Sequence, residues 1–147
     1  MQSVDPSPIT IGQIQIRYLI DGAESGAASG LFELTVAPGA RVPPAHSHGD
    51  NEEIIYCLEG VLRSVVGGEV RDLKPGEKSY TPRGEVHAFS NPFDCTARAL
   101  VILTPDIGAQ YFRDIAEAVS GPGAPDPTRM IAVMNRYGLM LAPPPAG

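Results

Sequence analysis

No stretch of this 147-residue sequence is apolar for long enough to span a membrane. Residues 1–8 lack both the basic start and the apolar run of a secretory leader. Cysteine is nearly missing: Cys57 and Cys95 could pair, but two cysteines do not make a disulfide framework. They read as reduced thiols of a cytoplasmic protein, with Cys57 a small buried residue. Positive charge is also short, with 11 Lys and Arg against 17 Asp and Glu and a net charge of −6. That balance argues against nucleic acid or an anionic membrane as a partner. Histidine is scarce too: the sequence has three, all within two short stretches.

What is present is ordinary for one globular domain, 43% apolar and 19% charged residues, in a chain long enough for a real core. Ile14, Ile16, Tyr18 and Ile20 alternate with Gln13, Gln15, Arg17 and Leu19, a strand pattern with one buried face. The small, glycine-rich segment from Asp21 to Gly30 reads as a loop. Further strands are expected at residues 31–36, 53–58, 61–66, 69–73, 79–81, 86–90 and 97–103. Gly67-Gly68 between two of them is a strong hairpin signal, because such two-residue turns need positive φ. Short strands punctuated by Gly and Pro point to a mainly β fold, an antiparallel sandwich or barrel.

The last third changes character. Ile107, Tyr111, Ile115 and Val119 recur every four residues, an amphipathic helical stripe. Gly121 to Ala124 breaks it, and Asp126-Pro127 reads as an N-cap with proline at the first helical position. Met130, Val133, Met134 and Tyr137 make a second stripe, closed by Gly138. Both stripes are expected to pack on the barrel. The organisation is then a loose arm at 1–8, a β domain at 9–105, a helical extension at 106–141 and a Pro-rich disordered tail at 142–147.

The chemistry concentrates between Pro43 and Gly60 and between Gly76 and Asn91. In an extended segment alternate side chains share a face, so His46 and His48 project together. A lone His-x-His pair is ordinarily two unrelated surface histidines. Here it follows two prolines and precedes a strand-like run, and the third histidine, His87, sits in its own structured turn. Two imidazoles on one strand, a third from another and a nearby carboxylate would suit a divalent metal. Glu53 and Glu52 are the rival carboxylates, and strand parity puts them on opposite faces.

The spacing carries a resemblance. Four residues separate His48 from Glu53, and six separate Glu53 from Gly60. Gly76 is followed by five residues and Pro82, then one and Gly84, two and His87, three and Asn91. These stretches resemble the two signature motifs of the cupin superfamily, with the short spacing, Val61 to Pro75, of small single-domain members. One departure is visible: the glycine expected before the first histidine stands one residue too far away, as Gly39. The resemblance sharpens the barrel to a jelly roll, to which the two stripes add two short C-terminal helices.

It also implies one metal ion, iron, nickel, manganese, cobalt or zinc, held by His46, His48, Glu53 and His87. Ile55, Cys57 and Phe89 share faces with ligands and are candidate walls of a small-molecule pocket, with Tyr80 and Arg63 as weaker candidates. Ile102-Leu103-Thr104-Pro105 followed by Tyr111-Phe112-Arg113 is similar to quercetinase-like dioxygenases. That likeness implies a dioxygenase acting on a flavonol-like substrate, with Glu53 as the catalytic carboxylate. Two other classes stand beside it: a metal-assisted cyclase, isomerase or lyase acting on a polyketide-like or sugar-like molecule, and a non-catalytic binding module. Pairing through sheet edges, common among cupins, implies a homodimer.

Overall fold

The computed structural model describes residues 7–120, 122 and 126–143. Most of the expected N-terminal arm, the break at Gly121–Ala124 except Pro122, and the end of the tail lie outside these residues. The elements run in order as β1 (Ile9–Ile11), β2 (Ile14–Ile20), α1 (Gly22–Ser25), β3 (Gly30–Val36), β4 (His46–His48), β5 (Glu52–Glu59), β6 (Leu62–Val66), β7 (Glu69–Leu73), β8 (Lys78–Thr81), β9 (His87–Ser90), β10 (Ala97–Thr104), α2 (Ala109–Val119), α3 (Pro127–Arg136) and β11 (Leu139–Leu141). Two antiparallel sheets result, ordered β1-β2-β3-β10-β5-β8 and β11-β4-β9-β6-β7, the architecture of the expected jelly roll.

Alternation builds the core. Along β2, Ile14, Ile16 and Tyr18 turn inward while Gln15 and Arg17 face out, and β3 and β10 repeat the pattern with Phe32, Leu34 and Val36 and with Ala99, Val101 and Leu103. Fully burying one such large apolar side chain contributes about 1.5–3 kcal/mol, so this stack dominates the stability of the sandwich. Gly67 and Gly68, at φ 57° and 82°, form the β6–β7 turn as the sequence suggests.

Three elements depart from the sequence reading. The segment expected as a loop holds α1, one helical turn nucleated by Asp21, whose carboxylate accepts from the Ala23 and Glu24 amides at 2.9 and 3.2 Å. β1 pairs with β2 across Gly12-Gln13. β11 follows α3 at once and pairs with β4, within the region expected to be helical.

The helices are tied to the barrel at Asp106. Its carboxylate accepts from the Tyr18 hydroxyl at 3.0 Å and from the Gly22 and Gly108 amides at 2.8 and 3.0 Å. Burial first, and then Asp106, drives the Tyr18 phenol far above its ordinary range, so it stays a donor. α2 buries Tyr111, Ile115 and Ala118 against α3 and β1. α3 starts as expected, with Asp126 accepting from the Thr128 amide at 2.9 Å and Pro127 at its first position. No helix among the described residues is long and apolar enough to cross a membrane.

Gly60 ends β5 at φ 69°, and a Cβ there would collide with the Thr96 carbonyl; Gly68 also has positive φ, yet nothing lies near its missing Cβ. An L-residue forced into that region costs roughly 1–2 kcal/mol from backbone sterics alone. Gly60→Ala should therefore lower the melting temperature by several degrees more than Gly68→Ala. Thermal unfolding followed by circular dichroism measures both, and equal shifts would contradict the packing at Gly60.

Candidate metal centre

Pro43 and Pro44 keep the chain extended as it reaches β4. β4 is three residues long and is held from both sides. On one side a single register pair sets His46 opposite His87 of β9. On the other, Leu139 and Leu141 of β11 pair with His48 and His46. The imidazoles converge, with ring centroids 4.7 Å apart for His46–His87, 5.0 Å for His48–His87 and 5.2 Å for His46–His48. One ligand nitrogen from each lies within 4.8 Å of the others. Glu53 comes from β5 in the opposite sheet, and its Oε2 stands 3.4 Å from His87 Nε2 and 3.6 Å from His48 Nε2. All four side chains are buried, at 4–9% exposure.

The hydrogen bonds orient the rings. His46 Nδ1–H donates to the Pro44 carbonyl at 2.7 Å, and His87 Nδ1–H to the Glu85 carbonyl at 3.2 Å. A carbonyl can only accept, so each Nδ1 carries a proton and Nε2 is the nitrogen presented inward. Both ring nitrogens of His48 and Nε2 of His87 are buried without a hydrogen-bond partner. A buried polar atom left unmatched costs about 1–3 kcal/mol, and two neighbouring imidazoles facing one carboxylate concentrate that cost. A cation between them would satisfy the nitrogens together, so the donor set fits a divalent metal.

Charge follows position. Burial lowers the His46 pKa, and burial takes His48 down to about 4, so both rings are neutral near neutral pH. For Glu53, burial works upward, but His87 and the other imidazoles outweigh it and the carboxyl titrates below its ordinary value. For His87, burial works downward, and the Glu53 carboxylate beside it wins, so its pKa is raised. His87 and Glu53 thus stand as an ion pair at 3.4 Å, without a hydrogen bond, that a metal would have to replace.

The cluster forms the floor of a cavity of about 380 Å³, near the low end of the roughly 300–1,000 Å³ that small-molecule sites occupy. Its walls are apolar: Phe32 and Leu103 from the six-stranded sheet, Phe89 from β9, and Phe112, Ile115 and Met134 from the two C-terminal helices. Phe89 stands where the sequence suggested. Ile55 and Cys57 share the inward face of Glu53 but pack into the main core and are not among the lining residues. Tyr80 is corrected outright: it pairs with Ile54, not with Glu53 or Ile55, and so faces solvent at 49% exposure. Arg63 also lies outside, paired with Asp72 at 2.9 Å. Glu52 is half-buried and leaves Glu53 to meet the imidazoles.

Sequence reasoning missed most of the cavity lining, including its polar members Arg41 and Tyr111, the sheet residues Phe32 and Leu103 and the wall made by the helices. Tyr111 was visible as a stripe position, but a stripe does not say which surface it covers. Burial first, and then Glu53, raises the Tyr111 phenol above its ordinary range, so it remains protonated.

Comparison with known proteins agrees with the fold. The Cupin domain family profile matches residues 32–103, which hold every residue of the cluster. The chain belongs to the cupin superfamily. Over 91 residues this cupin is 33% identical to the polyketide synthase CurC of Streptomyces cyaneus, covering 61% of the chain and 58% of that protein. It is 30% identical over 91 residues to the protein SchB of Streptomyces halstedii, covering 61% of the chain and 65% of that protein. The match thus spans less than two thirds of either curated relative. Among solved structures, the polyketide cyclase RemF of Streptomyces resistomycificus is 31% identical with a TM-score of 0.60, and a protein of Thermotoga maritima has a TM-score of 0.61. The RemF match covers 72% of this chain and 80% of that one. The Thermotoga maritima protein, a predicted oxalate decarboxylase, is 19% identical over 69% of this chain and 93% of its own, which supports the fold alone. A three-histidine cluster in a cupin suggests metal binding.

Metal uptake should depend on His87 and on pH. His87→Ala is expected to abolish stoichiometric metal in protein purified without an affinity tag. In the intact protein His87 must lose a proton to bind, and its pKa lies above the usual 6.5. Affinity should therefore fall by roughly tenfold per pH unit once the pH drops below that raised value, while His48, neutral down to about pH 4, adds nothing to the slope. Calorimetric titration with zinc or nickel between pH 8 and pH 6 reads this, and a flat affinity would contradict the assigned charges.

Proposed function

We propose that this cupin is a metal-dependent cyclase acting on a polyketide-like molecule that carries several carbonyl or phenolic oxygens. The observation that carries the reading is the buried set of three imidazoles and Glu53 at the floor of an apolar cavity. Its likeness to a polyketide cyclase and to two further Streptomyces proteins, one a polyketide synthase, supports the substrate class.

His46, His48 and His87, with Glu53, would hold the ion, and three nitrogens with one oxygen suit iron, nickel, manganese, cobalt or zinc alike. A divalent metal there supplies Lewis acidity toward a substrate oxygen. The chain supplies the rest. Glu53 is ionised and is the one carboxylate at the floor, so it is the group placed to accept a proton from an acidified substrate carbon. The protonated Tyr111 offers a hydrogen bond to a substrate oxygen. The apolar walls exclude water and keep a flexible poly-carbonyl chain folded, which favours ring closure over hydrolysis.

The dioxygenase reading rests on the same four groups, with Glu53 again taking the proton. A homodimer belongs to the proposal as well, supported by Tyr56 and Tyr80, which are exposed on the outer face of the six-stranded sheet.

Oxygen separates the two activities. Metal-loaded protein, offered a panel of linear poly-β-ketones and flavonols under argon and under air, should cyclise a poly-β-ketone in both gases with no oxygen uptake. Glu53→Gln should slow that turnover by about 10²–10⁴-fold. Turnover of a flavonol with one equivalent of oxygen consumed, and none under argon, would overturn the cyclase reading in favour of the dioxygenase.

A further inference from the structure

The cavity presents polar groups at two depths. The imidazoles and Glu53 are buried at the floor. At the rim stands Arg41, exposed, at the head of the run Arg41-Val42-Pro43-Pro44 that leads to β4 and lines the cavity. Apart from these groups and the Tyr111 phenol, the lining side chains are apolar.

Among the described arginines without an ion pair, Arg41 is the one that lines the cavity. Arg17, Arg63, Arg98 and Arg136 each pair with a carboxylate. Among the described residues Arg41 has no ion pair and no hydrogen bond. The backbone on either side of it is nevertheless held. Gly39, at φ 65°, donates its amide to the Asn91 carbonyl at 2.8 Å, and the Ala40 amide donates to Ala37 at 3.1 Å. Two prolines then follow, which set the path from Arg41 to His46.

A guanidinium at the mouth of an apolar cavity offers a ligand one strong chemistry, paired hydrogen bonds to a carboxylate or similar oxyanion. The net charge of −6 makes the protein as a whole repel such a ligand. A free cation at the rim is the local feature that would admit one.

We infer that Arg41 takes the carboxylate end of a free-acid substrate whose oxygen-bearing end reaches the imidazoles. The inference rests on the cyclase reading for the second contact and goes further for the first: the substrate enters as an anion, not as a neutral molecule or a thioester. Arg41 is a specificity residue, remote from the reacting atoms.

The test uses 6-hydroxy-2-naphthoate, whose hydroxyl and carboxylate lie at opposite ends, and the matching neutral amide. The chain has no tryptophan, so naphthalene fluorescence reads binding directly. Both probes are titrated into metal-loaded and chelator-treated protein, wild type and Arg41→Gln, with metal content and melting temperature as controls. The expected result is a preference for the acid of roughly fivefold, the scale of an exposed ion pair, that disappears in Arg41→Gln and falls with added salt. The amide should bind both proteins alike, and Arg41→Lys should restore part of the preference.

An acid preference that survives Arg41→Gln but vanishes on chelation would place the carboxylate on the metal and overturn the inference. So would equal affinity of the wild type for acid and amide. If the protein takes up no metal yet discriminates acid from amide through Arg41, the metal-dependent cyclase reading fails and the rim assignment stands.

Discussion

One rung of backbone pairing, His46 opposite His87, governs the rest of the site. It joins two motifs that are far apart in sequence and sets the distance between their imidazoles. Because side chains alternate along a strand, fixing His46 also fixes His48 two residues on, on the same face. A three-residue strand would hold this register poorly alone. β11 completes it from the other side, pairing with all three residues of β4, while the His48 carbonyl accepts from the Gly84 amide at 2.8 Å. The C-terminal segment therefore serves the ligand cluster as well as the core.

The second constraint is electrostatic. Three imidazoles and a carboxylate are buried together, and several of their polar atoms find no partner in the protein. Burial keeps His46 and His48 neutral, and the Glu53 carboxylate keeps His87 basic. A cluster with this arrangement is destabilising for the folded chain by itself and well suited to a cation, since a metal replaces the one exchangeable proton and satisfies the bare nitrogens. The apolar walls above it sharpen both effects by keeping water and counter-ions away.

The motif residues were legible because their spacing encodes geometry. His46, His48 and His87 meet as expected; the resemblance in spacing pointed to Glu53 over Glu52, and period-two alternation, which set the two on opposite faces, is repeated in the structure. Gly67-Gly68, Gly60 and Asp126-Pro127 were equally readable, since positive φ and capping are local properties. What failed depended on register or on long-range contact. Tyr80 could be placed only by knowing that it pairs with Ile54. β11 is too short for alternation to show and directly follows a helix, so nothing local marks it as a strand. The stripes on α2 and α3 predicted helices correctly, but not that Ile115 and Met134 would wall the cavity as well as pack the core.

The central claim is that the three imidazoles and Glu53 bind one metal ion at the cavity floor. Anomalous diffraction from crystals of the protein loaded with nickel or zinc tests it most directly. The account predicts a single strong peak about 2.1 Å from the Nε2 atoms of His46, His48 and His87, with a Glu53 carboxylate oxygen completing the set. A floor without anomalous density in metal-saturated crystals, with Glu53 still turned to His87, would contradict it and leave the cavity as a metal-free binding site.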